Sequence, residues 1–500
     1  MDCTQKIGRR TFLHFAVLSA AGAVVAACSG GTPPSSPVAT AMPSATPPSQ
    51  GTTGQQPTST LSAKPTPASN QQPTTAPAAA PKPSGVSGNV RLVAWGDVQD
   101  KDVYDAIARQ IIKVNPKLNV SVEQYPGGYY EKIQANFAAG SAADVIYFQG
   151  WKWQAFADAG VLASLDDLIK QDKLGQAWPD IENYKNNTTW HGATYMSPTD
   201  VGSLVIYYNK DLFDKKGVRY PQKGWKYEDF KKIVQSLSFE DGGTKYFGWS
   251  QAGGWNGAYG RSVVFMRRNG TMEWDRPVEP TKAKWTQTDI VDALQFTIYE
   301  TIKNGWCPSP SMIQGGGISV ASGRVAMVLE GPWYLPQMWG DKAARQGGIN
   351  YDVVDPPVGS TEYNYNFAHV HGHTMAKQSK VRDAGWEVIK YILSDDGQTA
   401  IAQGGRMCGT PENIQKIWAP IASKAYNFKN TDAFVNGMKE GSTPLIMGQG
   451  FPIDAYGGSA NPVATAWDQM LGLKATAKEA LETANPQIQK LLDDYWAKRK

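Results

Sequence analysis

The aromatic residues of this chain are confined to one part of it: all 17 Trp and all 22 Tyr follow residue 89. Residues 29–88, by contrast, hold no Asp, no Glu and no aromatic side chain, and are mostly Pro, Ser, Thr, Ala, Gly and Gln. Such a segment has nothing to bury and cannot offset the entropy of folding, so it reads as a Pro-stiffened, disordered linker. Its reach is roughly 40 Å as a flexible coil and about 190 Å as extended polyproline II. The globular part is therefore expected from about Asn89 to Lys500. About 400 residues exceed one usual hydrophobic core, so two lobes are expected.

Ahead of the linker, Arg9-Arg10 precede an apolar run that closes on small residues, RRTFLHFAVLSAAGAVVAAC over residues 9–28. This is the build of a cleaved secretory signal, and the run falls short of the ~20 residues a membrane span needs. An uncleaved anchor helix is the alternative, and both place the chain outside the cytoplasm. The twin arginine with Thr11, Phe12 and Leu13 resembles a twin-arginine translocation signal, from which Gly8 and His14 depart. Val25-Ala26-Ala27-Cys28 resembles a bacterial lipobox. The resemblance implies a signal over 1–27, acylation of Cys28, and tethering through 28–88 to the outer face of the cytoplasmic membrane.

The formal charge of +4 arises entirely before residue 89, from Lys6, Arg9 and Arg10 against Asp2, with Lys64 and Lys82 in the linker. The remainder is formally neutral, which argues against nucleic acid as a partner, since that needs a dense basic face. No apolar stretch there is long enough to span a bilayer. Of the four cysteines, Cys3 leaves with the signal and Cys28 is taken by lipid. Cys307 and Cys408 remain, either as a disulfide, which an oxidising compartment permits, or as two separate thiols.

Short apolar strands alternate with amphipathic helices, the α/β pattern. Val90 to Trp95 reads as a strand ending in the turn Gly96-Asp97. A helix follows over Asp102 to Val114, with Val103, Ile107, Ile111 and Val114 on one face, and stops before Asn115-Pro116. Leu118 to Val122 is a second strand, Tyr129 to Ala139 a helix ending at Gly140, and Asp144 to Phe148 a third strand. Strand, helix, strand, helix, strand predicts a parallel sheet with ligand beyond its carboxyl ends. That points to Trp95–Asp97 and to Gln149–Trp153.

Tyr195 to Gly217, YMSPTDVGSLVIYYNKDLFDKKG, resembles the signature of the extracellular solute-binding proteins of ABC importers, the family that includes maltose-binding protein. Further stretches resemble the family in the same order: Gly140–Leu168, Gly323–Trp333 (GRVAMVLEGPW), Asp383–Pro411 and Ala475–Leu481. Together they cover essentially all of 89–500. The resemblance implies a two-lobed periplasmic-binding-protein type II fold, with a hinge and an interlobe ligand cleft. By analogy one lobe holds 89–200 with 358–407, and the other 201–357 with 408–500. It also implies a monomeric, non-enzymatic subunit without a cofactor, delivering its ligand to two permease subunits and their ATPase.

The number of aromatics predicts a carbohydrate ligand, because a sugar ring offers an apolar C–H face to a flat ring and a hydroxyl rim to polar forks. Trp95, Trp151, Trp249, Trp255 and Trp333 sit where loops leave strands and are candidates to stack on it. The family motif singles out Trp333. Trp178, Trp285, Trp386, Trp418 and Trp467 have helical or Pro-flanked contexts and are expected to be structural. Gln149 lies in the loop already indicated. Asp97, Asp200 and Glu330 are placed to grip hydroxyl pairs through charged hydrogen bonds, with helix caps or surface pairs as the alternative. Asn256, beside Trp255 in GGWNGAYG, joins them, and Tyr456 would face the cleft if the family layout holds.

His369, His371 and His373 alternate, which on a strand places them on one face. His-x-His is a spacing zinc sites use, but a ligand-facing His371 with packed or solvated neighbours fits the family's glycine-containing cleft loop, and no metal is expected. No G-x-S-x-G elbow, P-loop or H-E-x-x-H is present. A secreted carbohydrate-active hydrolase, with Asp200 and Glu330 as facing carboxylates, and a His-cluster zinc-binding protein are the two alternatives.

Overall fold

The computed structural model describes residues 85–499, apart from 97, 126, 251–254, 314–316, 341–348, 360–364, 442–444 and 449–460. The expected signal, Cys28 and the linker up to residue 84 lie outside the described residues. A seven-stranded sheet runs in the order β14 (Met407–Cys408), β7 (Ser197–Gly202), β13 (His369–Ala376), β3 (Val145–Gln149), β1 (Gly88–Ala94), β2 (Leu118–Gln124), with β4 (Leu162–Ala163) beside β13. A three-stranded sheet has the order β11 (Met327–Glu330), β8 (Val205–Asn209), β12 (Tyr351–Val354). Two hairpins complete the strands: β5 (Thr189–Trp190) with β6 (Ala193–Thr194), and β9 (Phe239–Asp241) with β10 (Thr244–Tyr246).

The first five elements follow the sequence pattern. β1 pairs in parallel with β2 and with β3, as expected. The helix Val98–Val114 buries Tyr104, Ile107, Ala108 and Ile111, leaving Val103 and Val114 half-buried. It starts four residues before the expected Asp102. Its first turn carries Asp100, which accepts from Arg406 Nε at 2.6 Å, a tertiary contact that no local pattern contains. The parallel expectation holds only for these three strands. β13 runs antiparallel to β3, β7 and β4, and β14 antiparallel to β7, so the sheet is mixed.

The family-like stretch Tyr195 to Gly217 contains the end of one strand and the start of another: β7 stops at Gly202 in the large sheet and β8 begins at Val205 in the small one. Ser203 and Leu204 make the passage. Asn366 clamps it with both ends of its amide, accepting from Leu204 N at 2.8 Å and donating to Leu204 O at 2.7 Å. Asn366 itself lies between β12 of the small sheet and β13 of the large one, so two crossing segments are tied at one side chain.

Apolar packing is continuous on both faces of the large sheet and around the small sheet. Trp285, Trp386, Trp418 and Trp467 are buried in these cores, and Trp178 is half-buried with its indole N–H on Met196 O at 2.9 Å. Cys307 and Cys408 are not joined in a disulfide and sit in different apolar clusters, so of the two alternatives the structure has separate thiols. Burial pushes the Cys408 thiol up to about 12. Both are expected to resist iodoacetamide in the native protein and to be alkylated without reductant after denaturation. A Cys307–Cys408 disulfide peptide in the digest would contradict this. No helix among the described residues is long and apolar enough to cross a membrane.

Candidate functional site

Strand direction gathers the candidate residues at one edge of the large sheet. The carboxyl end of β3 brings Gln149 there, and antiparallel β13 places His371 opposite it. β7, antiparallel to β13, sets Asp200 opposite His371 and Gly202 opposite His369. Because side chains alternate along a strand, His369, His371 and His373 do share one face. The His369 and His371 rings stack at 4.5 Å and 28°.

Around that stack lies a run of aromatic rings. Trp151 meets His371 and His369 edge-on at 5.3 and 5.8 Å. Phe367 lies 5.5 Å from His369 and 5.9 Å from Trp151. Trp333 arrives from the small-sheet side, after β11, and tilts over His369 at 5.5 Å and 35°. Gly202 makes this approach possible: a Cβ there would lie 2.2 Å from His369 Nε2 and 2.9 Å from the Trp333 ring. Trp333 is 43% exposed, whereas the other Trp residues named as candidates are half-buried or buried wherever their side chains are described. Its indole N–H donates to Glu330 Oε2 at 2.9 Å. At the end of β1, Trp95 forms a second aromatic group with Tyr129 (4.8 Å) and Tyr130 (5.7 Å), and the Tyr130 hydroxyl bonds both the backbone N and side-chain Oε1 of Gln149.

Several expectations need correcting. Trp249 is 1% exposed, packed between Phe230 and Phe265, with its indole on Thr297 O at 3.2 Å. It is a core residue and has no face to offer a sugar. Trp255 opens the helix Trp255–Arg268 rather than lying in a loop; its side chain and that of Asn256 are outside the described residues, as are Asp97 and Tyr456. Asp200 is at the predicted edge but does not grip from it. Its carboxylate is 3% exposed and takes the Tyr147 hydroxyl at 2.9 Å and Arg406 Nη1 at 3.4 Å. Burial raises its pKa, against the pull of Arg406 and the Tyr147 hydrogen bond. Glu330, 4% exposed, is held by Arg261 through both oxygens. Both carboxylates proposed for hydrolysis are thus committed to arginines.

The sequence reading missed Tyr130, Arg261, Phe367 and Arg406. His369, expected to be packed or solvated, is buried and packed against His371 and Phe367, and Phe367 carries no motif. Arg261 and Arg406 could be found only through their acidic partners, 69 and 206 residues away in the chain.

The histidines are dominated by burial. Desolvation pushes His369 and His373 down to about 3, and it also holds His371 well below the ordinary imidazole range, with help from His369 and Arg406. The neutral rings are then used as packing and acceptors: His371 Nδ1 accepts from Gly150 N at 3.2 Å, and His373 Nδ1 lies 2.7 Å from Thr199 Oγ1. No group of three or more His, Cys, Asp or Glu among the described residues is arranged to hold a metal. A folded pKa below the unfolded value near 6.5 means that the unfolded chain binds more protons as pH falls. Stability is therefore full above about pH 6.5 and lost on acidification toward pH 3, by up to about 1.4 kcal/mol per pH unit for each such histidine. Denaturant titrations at pH 7, 6 and 5 are expected to show this fall, and His373→Gln to make it shallower. Equal slopes in both proteins would contradict the assignment.

Residues 97–399 match the family described as bacterial extracellular solute-binding protein. A binding protein of Brucella abortus is 21% identical over 435 residues, covering 83% of this chain and 93% of its own. Among solved structures, the ABC substrate-binding protein Lmo0181 from Listeria monocytogenes in complex with cycloalternan has a TM-score of 0.66 at 20% identity, covering 81% of this chain and 99% of that one. The sugar-binding protein MalE from Xanthomonas citri has a TM-score of 0.66 at 17% identity, covering 83% and 100%. These likenesses fix the two-lobed periplasmic-binding-protein type II fold. The chain belongs to the bacterial extracellular solute-binding protein family.

Proposed function

We propose that this protein captures a carbohydrate, an oligosaccharide by the number of aromatic rings, between its two lobes and hands it to the permease subunits of an ABC importer. The observation that carries the reading is the exposed Trp333 indole, held over the His369–His371 stack with Trp151 at its edge. Flat apolar rings beside neutral imidazoles suit the C–H faces and hydroxyls of a sugar. The sugar-bound Listeria neighbour and the sugar-binding Xanthomonas neighbour support the same ligand class. The lobes are 89–200 with 358–407 and 201–357 with 408–500, and each takes one of the two sheets, apart from short overlaps at β7 and β14. Closure of the lobes lets the importer distinguish loaded from empty protein. The reading includes no bond cleavage, and a monomer. Acylation at Cys28 and the 28–88 linker would hold it at the outer face of the cytoplasmic membrane, with the ATPase on the cytoplasmic side.

A thermal-shift screen of the protein against mono- and oligosaccharides, polyols, amino acids, peptides and zinc, with and without chelator, tests this. One glycan class raising the melting midpoint by mass action supports it. Stabilisation by zinc alone, lost with chelator, would overturn it.

A further inference from the structure

We infer that Arg261 and Glu330 are a positioning pair that fixes the plane of the Trp333 indole. An exposed indole at the end of a short turn has no packing on its outer side, and left alone it would lose rotamer freedom on meeting a ligand. Here it is constrained from beneath and from its edge. Gly331 and Gly202 leave room for it: a Cβ at either would lie 2.2 Å or 2.9 Å from the ring carbons. The edge is fixed by the N–H bond to Glu330 Oε2 at 2.9 Å, a charge-assisted bond to a carboxylate that is 4% exposed.

That carboxylate must itself be held in place, because a buried charge with no partner is costly. Arg261, on the helix Trp255–Arg268, supplies Nε at 2.9 Å and Nη2 to both oxygens, and its side chain is only 15% exposed. Glu330 therefore receives one indole and one guanidinium, which together occupy both of its oxygens. Its role is exerted through Trp333. The helix that carries Arg261 is thereby coupled to the exposed ring. The positioning claim stands on geometry alone, while its consequence for affinity rests on the carbohydrate reading.

The first arm needs no ligand. Indole N–H exchange is followed by NMR on the full chain, with the Trp333 signal identified by its loss in Trp333→Phe. Glu330→Gln and Arg261→Met are each expected to speed exchange of that one N–H at least tenfold, and Arg261→Lys to restore part of the protection. A Trp333 N–H that exchanges freely in the parent, or that neither variant moves, would overturn the pairing. Unliganded melting midpoints show that each variant has folded, and Arg261→Lys serves if the others have not.

The second arm uses the neutral di- to hexasaccharides of the thermal screen. Glu330→Gln is expected to weaken binding several-fold in the parent and to add less than twofold in a Trp333→Ala background. Equal losses in both backgrounds would mean that Glu330 acts other than through Trp333. If no saccharide shifts the midpoint, the carbohydrate reading fails, and the exchange arm still decides the positioning pair.

Discussion

Trp333→Ala is expected to weaken saccharide binding by about 1.5–3 kcal/mol, tenfold or more in Kd, while leaving the melting midpoint of the free protein almost unchanged. Both halves follow from exposure. The ring is 43% accessible, so folding gains little from it, yet it rests on His369 with one face available. Trp249→Ala should do the opposite, lowering stability by about 3–5 kcal/mol through a cavity in the core. Titration calorimetry and denaturant unfolding on the two variants separate the effects. A Trp333→Ala protein that binds saccharide like its parent would remove this residue from the site.

Glu273→Ala is expected to be among the most destabilising single changes, by about 3–5 kcal/mol. Arg267 and Glu273 are 1% and 0% exposed in their side chains, and the carboxylate accepts Arg267 Nη2 at 2.6 Å, Arg267 Nε at 3.1 Å and the Tyr259 hydroxyl at 2.8 Å. Beside them Trp285 packs 5.7 Å from Tyr259, 5.5 Å from Trp274 and 5.9 Å from Trp467, all three Trp fully buried, so the interior offers no water to a guanidinium left alone. Removing both charges as Arg267→Met with Glu273→Met should recover much of the loss, because the penalty lies in the unpaired ion rather than in the missing attraction. Urea unfolding checks this. A single variant within 1 kcal/mol of the parent, on the order of a surface pair, would show that the pair is solvated.

What the sequence made legible was local. The strands and helices from residue 88 to 149 are punctuated by Gly96, Asn115-Pro116 and Gly140, and each apolar run pairs where its period says. The antiparallel insertion of β13 between β3 and β7 depends on residues more than 150 positions apart and has no local signature. Glu330 ends β11 and Asp200 lies within β7, and the arginines that occupy them come from remote parts of the chain, so their roles differ from those predicted. Trp249 was misread because its neighbours bridge only singly, Phe247 to Val325 and Ser250 to Val328, which in sequence is indistinguishable from a loop. Trp333 needed the family motif to be noticed and the structure to show what it rests on.

The central claim is capture by closure, and small-angle X-ray scattering during titration with the stabilising saccharide tests it most directly. The account predicts a radius of gyration that falls and saturates at one saccharide per chain, with the sugar recovered unchanged. An unchanged radius at full occupancy, or reducing ends appearing in the solution, would contradict it.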